Sequence, residues 1–222
     1  DHRGNVVGFS GRSIDDIRKQ IQYEENKKKN APIHLPADFT FNIPNQGLNW
    51  LKKYNITDEE IIRFKIGWSN EYESLVFSAY DLWNNLLMCQ RRYFGNGQFP
   101  KYHTRGFPES FLWSVLPDSS AWKSSLCVVE DFISAIKVGR HFECSPLWGS
   151  NLSLGQVTRI SDRYENLCLW LDKDKAKQAM KIRIKALPFF KKIAVIITEK
   201  DPKDYNDNEI ISALNENLGS VQ

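Results

Sequence analysis

The stretch Asp172-Lys173-Asp174 places two carboxylates one residue apart, after the apolar run 167–171 and before a basic, helical segment. Two other apolar runs end in acids. Residues 125–129 lead into Glu130-Asp131, and residues 192–198 lead into Asp201 and Asp204. Carboxylates crowded together repel, so such a cluster keeps a proton or holds a cation. Oxygen donors without Cys or His among them favour Mg2+ or Mn2+ over zinc. On an extended backbone, residues i and i+2 project to one side, which would aim Asp172 and Asp174 together. The plainer alternative is helix capping, and Asp174 stands where the next helix begins.

Other chemistry is thinly represented. His2, His34, His103 and His141 show no ligand spacing and no partnered Cys or Ser, so no nucleophilic triad is visible. No GxxxxGK[ST] phosphate loop occurs. The cysteines, Cys89, Cys127, Cys144 and Cys168, are scattered without a CxxC pair, which excludes a zinc ribbon and reads as reduced, buried thiols. Tyr102 or His103 could stack on a base, although packing explains either. Lys177, Lys181 and Lys185 form one helical stripe, the usual solvated face of an amphipathic helix.

These residues need elements to position them. From Ser125 onward, strand-like and helix-like segments alternate, and the strands are continuous apolar runs. That pattern predicts an α/β fold with a parallel sheet covered on both faces, and ligands of such sheets bind beyond the carboxyl ends of the strands. All three acidic strand ends would then share one edge. Residues 31–117 read as a smaller α+β subdomain. "GLNWLKKYN" has helical spacing, and Thr57 with Glu60 forms a capping box. "YESLVFSAYD" and "NNLLMCQRRYF" read as strands separated by turn signals. Residues 1–30 read as a leader with a short hairpin, a polar helix and a solvated lysine run. The division is therefore 1–30, 31–117 and 118–222. Trp148 and Trp170 fall in expected strands and read as core.

Composition sets outer limits. With 41% hydrophobic and 13% aromatic residues, the 222-residue chain can bury a sizeable core. A net charge of +3 permits a nucleic-acid partner but requires any basic surface to be local. No apolar run approaches the roughly 20 residues of a membrane span. The chain opens on Asp1 rather than Met, which reads as a piece trimmed from something longer.

The order of motifs carries a resemblance. "CVVEDFISAIKVG", "PLWGSNLS", "LCLWLDKDKAKQAM" and "VIITEKDPKDY" resemble the Toprim domain, in that domain's order. Upstream, "WLKKYNITDEEIIRFKIGW", "LVFSAYDLWNNLLMCQRRYF" and "FPKYHTRGFPES" resemble the N-terminal subdomain of bacterial and phage DNA primases. The phage primase or primase–helicase type is the most similar, over about residues 44–205. The resemblance implies synthesis of short RNA primers on a single-stranded DNA template from ribonucleoside triphosphates. It implies Mg2+ or Mn2+ in a two-metal arrangement, the ions about 4 Å apart. Glu130 matches the Toprim glutamate, as metal ligand or general base. Asp172 and Asp174 match the metal-binding pair, and Asp201 the aspartate of the "KDP" element, with Asp204 beside it. Gly149 matches a turn glycine, and Lys101 the lysine of "PKY", implied to be catalytic. Arg91, Arg92, Lys101 and Arg105 would face nucleotide or template phosphates. Asp131 and Lys177 stand where the family often has glycine. A zinc-binding domain ahead, a replicative helicase as partner and the cytoplasm of a bacterial host are implied as well. A Toprim nuclease and a non-catalytic Toprim binding module are the alternatives.

Overall fold

The computed structural model describes residues 33–95, 100–107, 111–117, 124–149 and 151–218. The expected leader hairpin and helix, and most of the turn after Phe94, lie outside them. Two short helices come first, α1 (Asn45–Lys53) and α2 (Asp58–Arg63). The capping box of α2 forms as its spacing predicts: Glu60 N–H donates to Thr57 Oγ1, and Thr57 N–H donates to the Glu60 carboxylate.

An antiparallel sheet follows, with strands β1 (Gly67–Ser69), β2 (Ser74–Tyr80), β3 (Leu86–Tyr93) and β4 (Tyr102–Gly106) in sequential order. Its register pairs Arg92 with Tyr102, Arg91 with His103 and Cys89 with Arg105. Side chains alternate across a strand, so Arg92 and Tyr102 share one face while Arg91, His103 and Arg105 share the other.

The chain then alternates strand and helix: β5 (Ser125–Val129), α3 (Phe132–Gly139), β6 (Cys144–Pro146), α4 (Leu154–Ser161), β7 (Asn166–Leu169), α5 (Ala176–Ala186), β8 (Lys192–Val195) and α6 (Asp207–Leu218). The strands form a wholly parallel sheet in the order β6-β5-β7-β8, as their continuous apolar runs predict. Both faces are buried. Leu126, Val128, Leu167 and Leu169 pack with Val157, Ile160 and Ile182, from α4 and α5. Cys127, Val129, Cys168 and Trp170 face the opposite core. There, Cys144, Cys127 and Cys168 lie in one register across three neighbouring strands, all free thiols.

The two sheets share that second core. Phe132, the first residue of α3, is its hub. Its ring stacks on Phe77 of β2 at 5.2 Å and on Trp113 at 5.1 Å, and it meets Phe64 at 6.1 Å. Such ring pairs add about 0.5–1.5 kcal/mol each beyond the area they bury. The core-facing side of the antiparallel sheet is thereby pressed against the helix that begins one residue after Glu130-Asp131. Trp148 and Trp170 are core residues, at 6% and 0% exposure, although each lies just past its strand. Among the described residues, no helix is long and apolar enough to cross a membrane.

Candidate active site

Glu130 follows β5 directly, and Asp131 caps α3, accepting hydrogen bonds from Ser134 N–H at 3.0 Å and Ser134 Oγ at 3.1 Å. The β7 line continues through buried Trp170 and Leu171 to Asp172. Trp170 N–H still bonds Val128 across the ladder, so Asp172 stands close beyond the β5 end. Asp201 follows the β8 line. The acids thus gather at the carboxyl edge of the sheet, where an open parallel sheet binds ligands.

What lies among them departs from expectation. Lys203, two residues past Asp201, turns its ammonium into the cluster. Its Nζ lies 2.8 Å from Asp131 Oδ2, 3.2 Å from Asp172 Oδ2 and 3.3 Å from Asp201 Oδ2. Three N–H protons meet three carboxylates. The turn Pro202–Asp204 produces this reversal, and buried Lys137 of α3 holds it by donating to the backbone carbonyls of Lys203 (2.8 Å) and Tyr205. The sequence singled out the acids and missed both lysines. The alternation of acid and base in "KDPKD" is the only trace, and only the tertiary turn reveals which base points inward.

Two carboxylate oxygens in the cluster lack any partner. Glu130 Oε2 and Asp172 Oδ1 are shielded from solvent and accept no hydrogen bond. Burial, followed by the charge of Asp172, pushes the Glu130 carboxyl up to about 7. Burial likewise raises Asp172 to about 6, because a lysine shared among three acids offsets only part of its desolvation. Asp201 is buried less. Lys203, together with the Lys173 N–H that donates to it at 3.2 Å, brings it below the ordinary carboxylate range. Burial disfavours the Lys203 charge, but Asp131, Asp172 and Asp201 outweigh it and raise its pKa.

Among the described residues, no three carboxylate, imidazole or thiolate side chains converge at metal-ligand spacing. The four expected ligands, Glu130, Asp172, Asp174 and Asp201, are placed differently from one another. Glu130 and Asp172 come together with free oxygens. Asp201 is turned to Lys203 instead. Asp174 diverges, because residues 173–175 wind into a single 3-10 turn rather than an extended strand, so the i, i+2 rule does not apply. Its side chain is 67% exposed, against 17% for Asp172, and pairs with Lys175 at 3.1 Å. Asp174 also makes no side-chain cap for α5. Two orphaned carboxylate oxygens still fit Mg2+, which is ordinarily held by one or two carboxylates, waters and substrate phosphates.

The basic residues divide. The Arg92 guanidinium lies 4.4 Å from the ring centroids of both Trp50 and Phe94, which themselves meet edge to face at 6.2 Å. Its cross-strand partner Tyr102 lies within electrostatic reach of Asp131 and Lys203, so this face of the antiparallel sheet borders the acids. Arg91 is buried on the opposite face, stacked 4.0 Å from the Tyr72 ring and 3.3 Å from His103 Nδ1. Lys101 and Arg105 are exposed. The left-handed residue of the turn after β6 is Trp148, at φ 58°, and not Gly149, where an added Cβ would meet nothing within 4 Å. Gly149 is therefore not a conformational necessity.

No known family model and no curated protein matches this chain. Solved structures do share its fold. The Aquifex aeolicus primase, zinc-binding and RNA polymerase domains, superposes with a TM-score of 0.65 at 14% identity, over 95% of this chain and 63% of that one. The present chain thus spans under two thirds of that structure. A DnaG primase catalytic domain bound to single-stranded DNA gives 0.61 at 14% identity, over 89% and 78%. The primase fragment of the bacteriophage T7 primase–helicase gives 0.53 at 17% identity, over 88% and 85%. The fold is that of the Toprim-containing primase catalytic core.

Proposed function

We propose that this chain is the catalytic core of a phage-type DNA primase, joining ribonucleotides on single-stranded DNA. The observation that carries the reading is the pair of unpartnered carboxylate oxygens, on Glu130 and Asp172, at the carboxyl edge of a sheet with the primase-core fold. Glu130 and Asp172 would hold Mg2+ or Mn2+, with Asp174 at the rim. When bound, the ion supplies positive charge to the reacting phosphate and acidifies the attacking hydroxyl.

In this reading the 3′-oxygen of the growing primer forms a bond to the α-phosphorus of an incoming nucleotide. The bond to pyrophosphate breaks, and the hydroxyl proton must leave. Here Glu130 serves the ion as a carboxylate ligand, so the proton passes to solvent water. Exposed Lys101 would hold phosphates of nucleotide or template, and Arg105, exposed on the sheet face turned from the acids, would reach only template outside the acid cluster. Arg91 and Arg92, stacked on aromatic rings, fix the sheet that carries them. Replicative helicase would be the natural protein partner, since the T7 fragment comes from a primase–helicase.

The test is synthesis on random-sequence single-stranded DNA with labelled ribonucleotides and Mg2+ or Mn2+, scoring RNA products and template cutting together. Metal-dependent oligoribonucleotides are expected, lost in Asp172→Ala and Asp174→Ala with the fold retained. Cut template without synthesis would establish a Toprim nuclease instead. Should neither appear, repeating the assay with a primase zinc-binding domain added decides between a dormant polymerase core and a binding module.

A further inference from the structure

We propose that Lys203 is a resident cation of the site, occupying with its ammonium one of two positions that divalent ions would otherwise share. The inference rests on the metal-binding reading above and concerns how many ions the site accepts. Its basis is geometric. Lys203 Nζ is within 3.3 Å of carboxylates from three different strand ends, Asp131, Asp172 and Asp201, and its side chain is only 12% exposed. All three of its protons are directed at those acids, so none remains for a phosphate.

The placement is also built into the backbone. Pro202 fixes the start of the turn, and Asp204 N–H closes it on Asp201 O at 2.9 Å. Lys137 is 2% exposed and bonds the Lys203 and Tyr205 carbonyls, tying this turn to the helix that follows Glu130. A surface lysine would sweep out many rotamers. This one is held at both its main chain and its tip. The charge it delivers is permanent and does not dissociate.

Two sub-sites follow from this arrangement. One lies where Glu130 Oε2 and Asp172 Oδ1 have no partner, and it is open to a divalent ion. The other, bounded by Asp131, Asp172 and Asp201, is filled by the protein itself. Asp201 then serves Lys203 and is not a metal ligand.

Mn2+ titration of the full 222-residue chain, with free Mn2+ read by electron paramagnetic resonance, counts the ions directly. The wild type should bind one Mn2+ at the site. Lys203→Met should bind a second, or bind the first at least about tenfold more tightly, since a unit charge is removed beside the ligands. Asp201→Asn keeps the shape of the cluster but removes a charge from it, so Mn2+ binding should weaken by less than about 100-fold, whereas losing a true ligand costs more than the roughly 10–100-fold of losing a ligand's support. Circular dichroism verifies folding of each variant, and Asp201→Asn decides if Lys203→Met does not fold. Two ions bound by the wild type, an unchanged titration in Lys203→Met, or a loss beyond about 100-fold in Asp201→Asn would overturn the inference and leave the primase reading standing. No Mn2+ bound at all would overturn both.

Discussion

Glu130 and Asp172 are each held in a state they would not choose in water. Both carboxyls are raised by burial, to about 7 and about 6, so the folded chain retains protons that the unfolded chain releases nearer 4. Between those values the folded state binds more protons than the unfolded, and stability must fall as pH rises. Glu130→Gln and Asp172→Asn remove the cost. Each should raise the Tm of the metal-free protein at pH 8 by roughly 2–4 °C, the shift about 1 kcal/mol gives a domain of this size. Each should also flatten the Tm profile between pH 5 and 8, which differential scanning calorimetry resolves. Added Mn2+ should stabilise the wild type and not the variants, because only an ionised pair binds it. A lower Tm in both variants would show that the carboxylates are satisfied in the fold. The residue types at the site were legible because three apolar runs each end in acids. Which acids would be free was not, since that depends on Lys203 arriving from a turn that no local pattern encodes.

The elements divide along the same line. The parallel strands were readable from uninterrupted apolar runs, and the capping box of α2 from Thr57 and Glu60, because both are properties of a few neighbouring residues. The 3-10 turn at 173–175 was not, because it forms where the chain leaves the sheet and swings into α5. Neither was the role of α3. By pattern it is a core-covering helix, and its Lys137 looks like the polar exception on an apolar face. In the fold, Lys137 is what holds the 202–205 turn to the sheet edge. Lys137→Met preserves the side-chain length but leaves the part-buried Lys203 and Tyr205 carbonyls without this donor. Each such loss costs about 1–3 kcal/mol. Thermal unfolding should therefore show a Tm lower by at least about 4 °C. Amide hydrogen exchange should show faster opening confined to residues 201–206. Uniform acceleration across the sheet would mean instead that Lys137 supports the core as a whole.

At the scale of the molecule, a net charge of +3 conceals strong local order. Acids collect at one sheet edge, while the cations Lys101 and Arg105 stand exposed on a different sheet. The proposed catalysis would require the two sheets to keep their relation, and the shared aromatic core is one tie. Arg140, just past α3, is the other. It forms a two-pronged pair with Glu60 of α2, both contacts at 2.8 Å, bonds Asn55 O at 2.7 Å and reaches Asp207 of α6 at 3.1 Å. Arg140 and Glu60 are 20% and 14% exposed, so solvent screens the pair only partly. Two-pronged arginine–carboxylate pairs are the stronger kind, and removing one partner strands the other. Arg140→Ala should cost about 2–3 kcal/mol on that ground, whereas Glu60→Gln, which retains an acceptor for the Thr57 N–H, should cost less. A double-mutant cycle in urea should return a coupling of about 1–2 kcal/mol between them. The acids at the sheet edge do not touch Arg140, so Mn2+ affinity should stay within about threefold while stability drops. Loss of Mn2+ binding in parallel with stability would mean that the metal site is assembled by the docking of α2 and α6, not preformed by the parallel sheet.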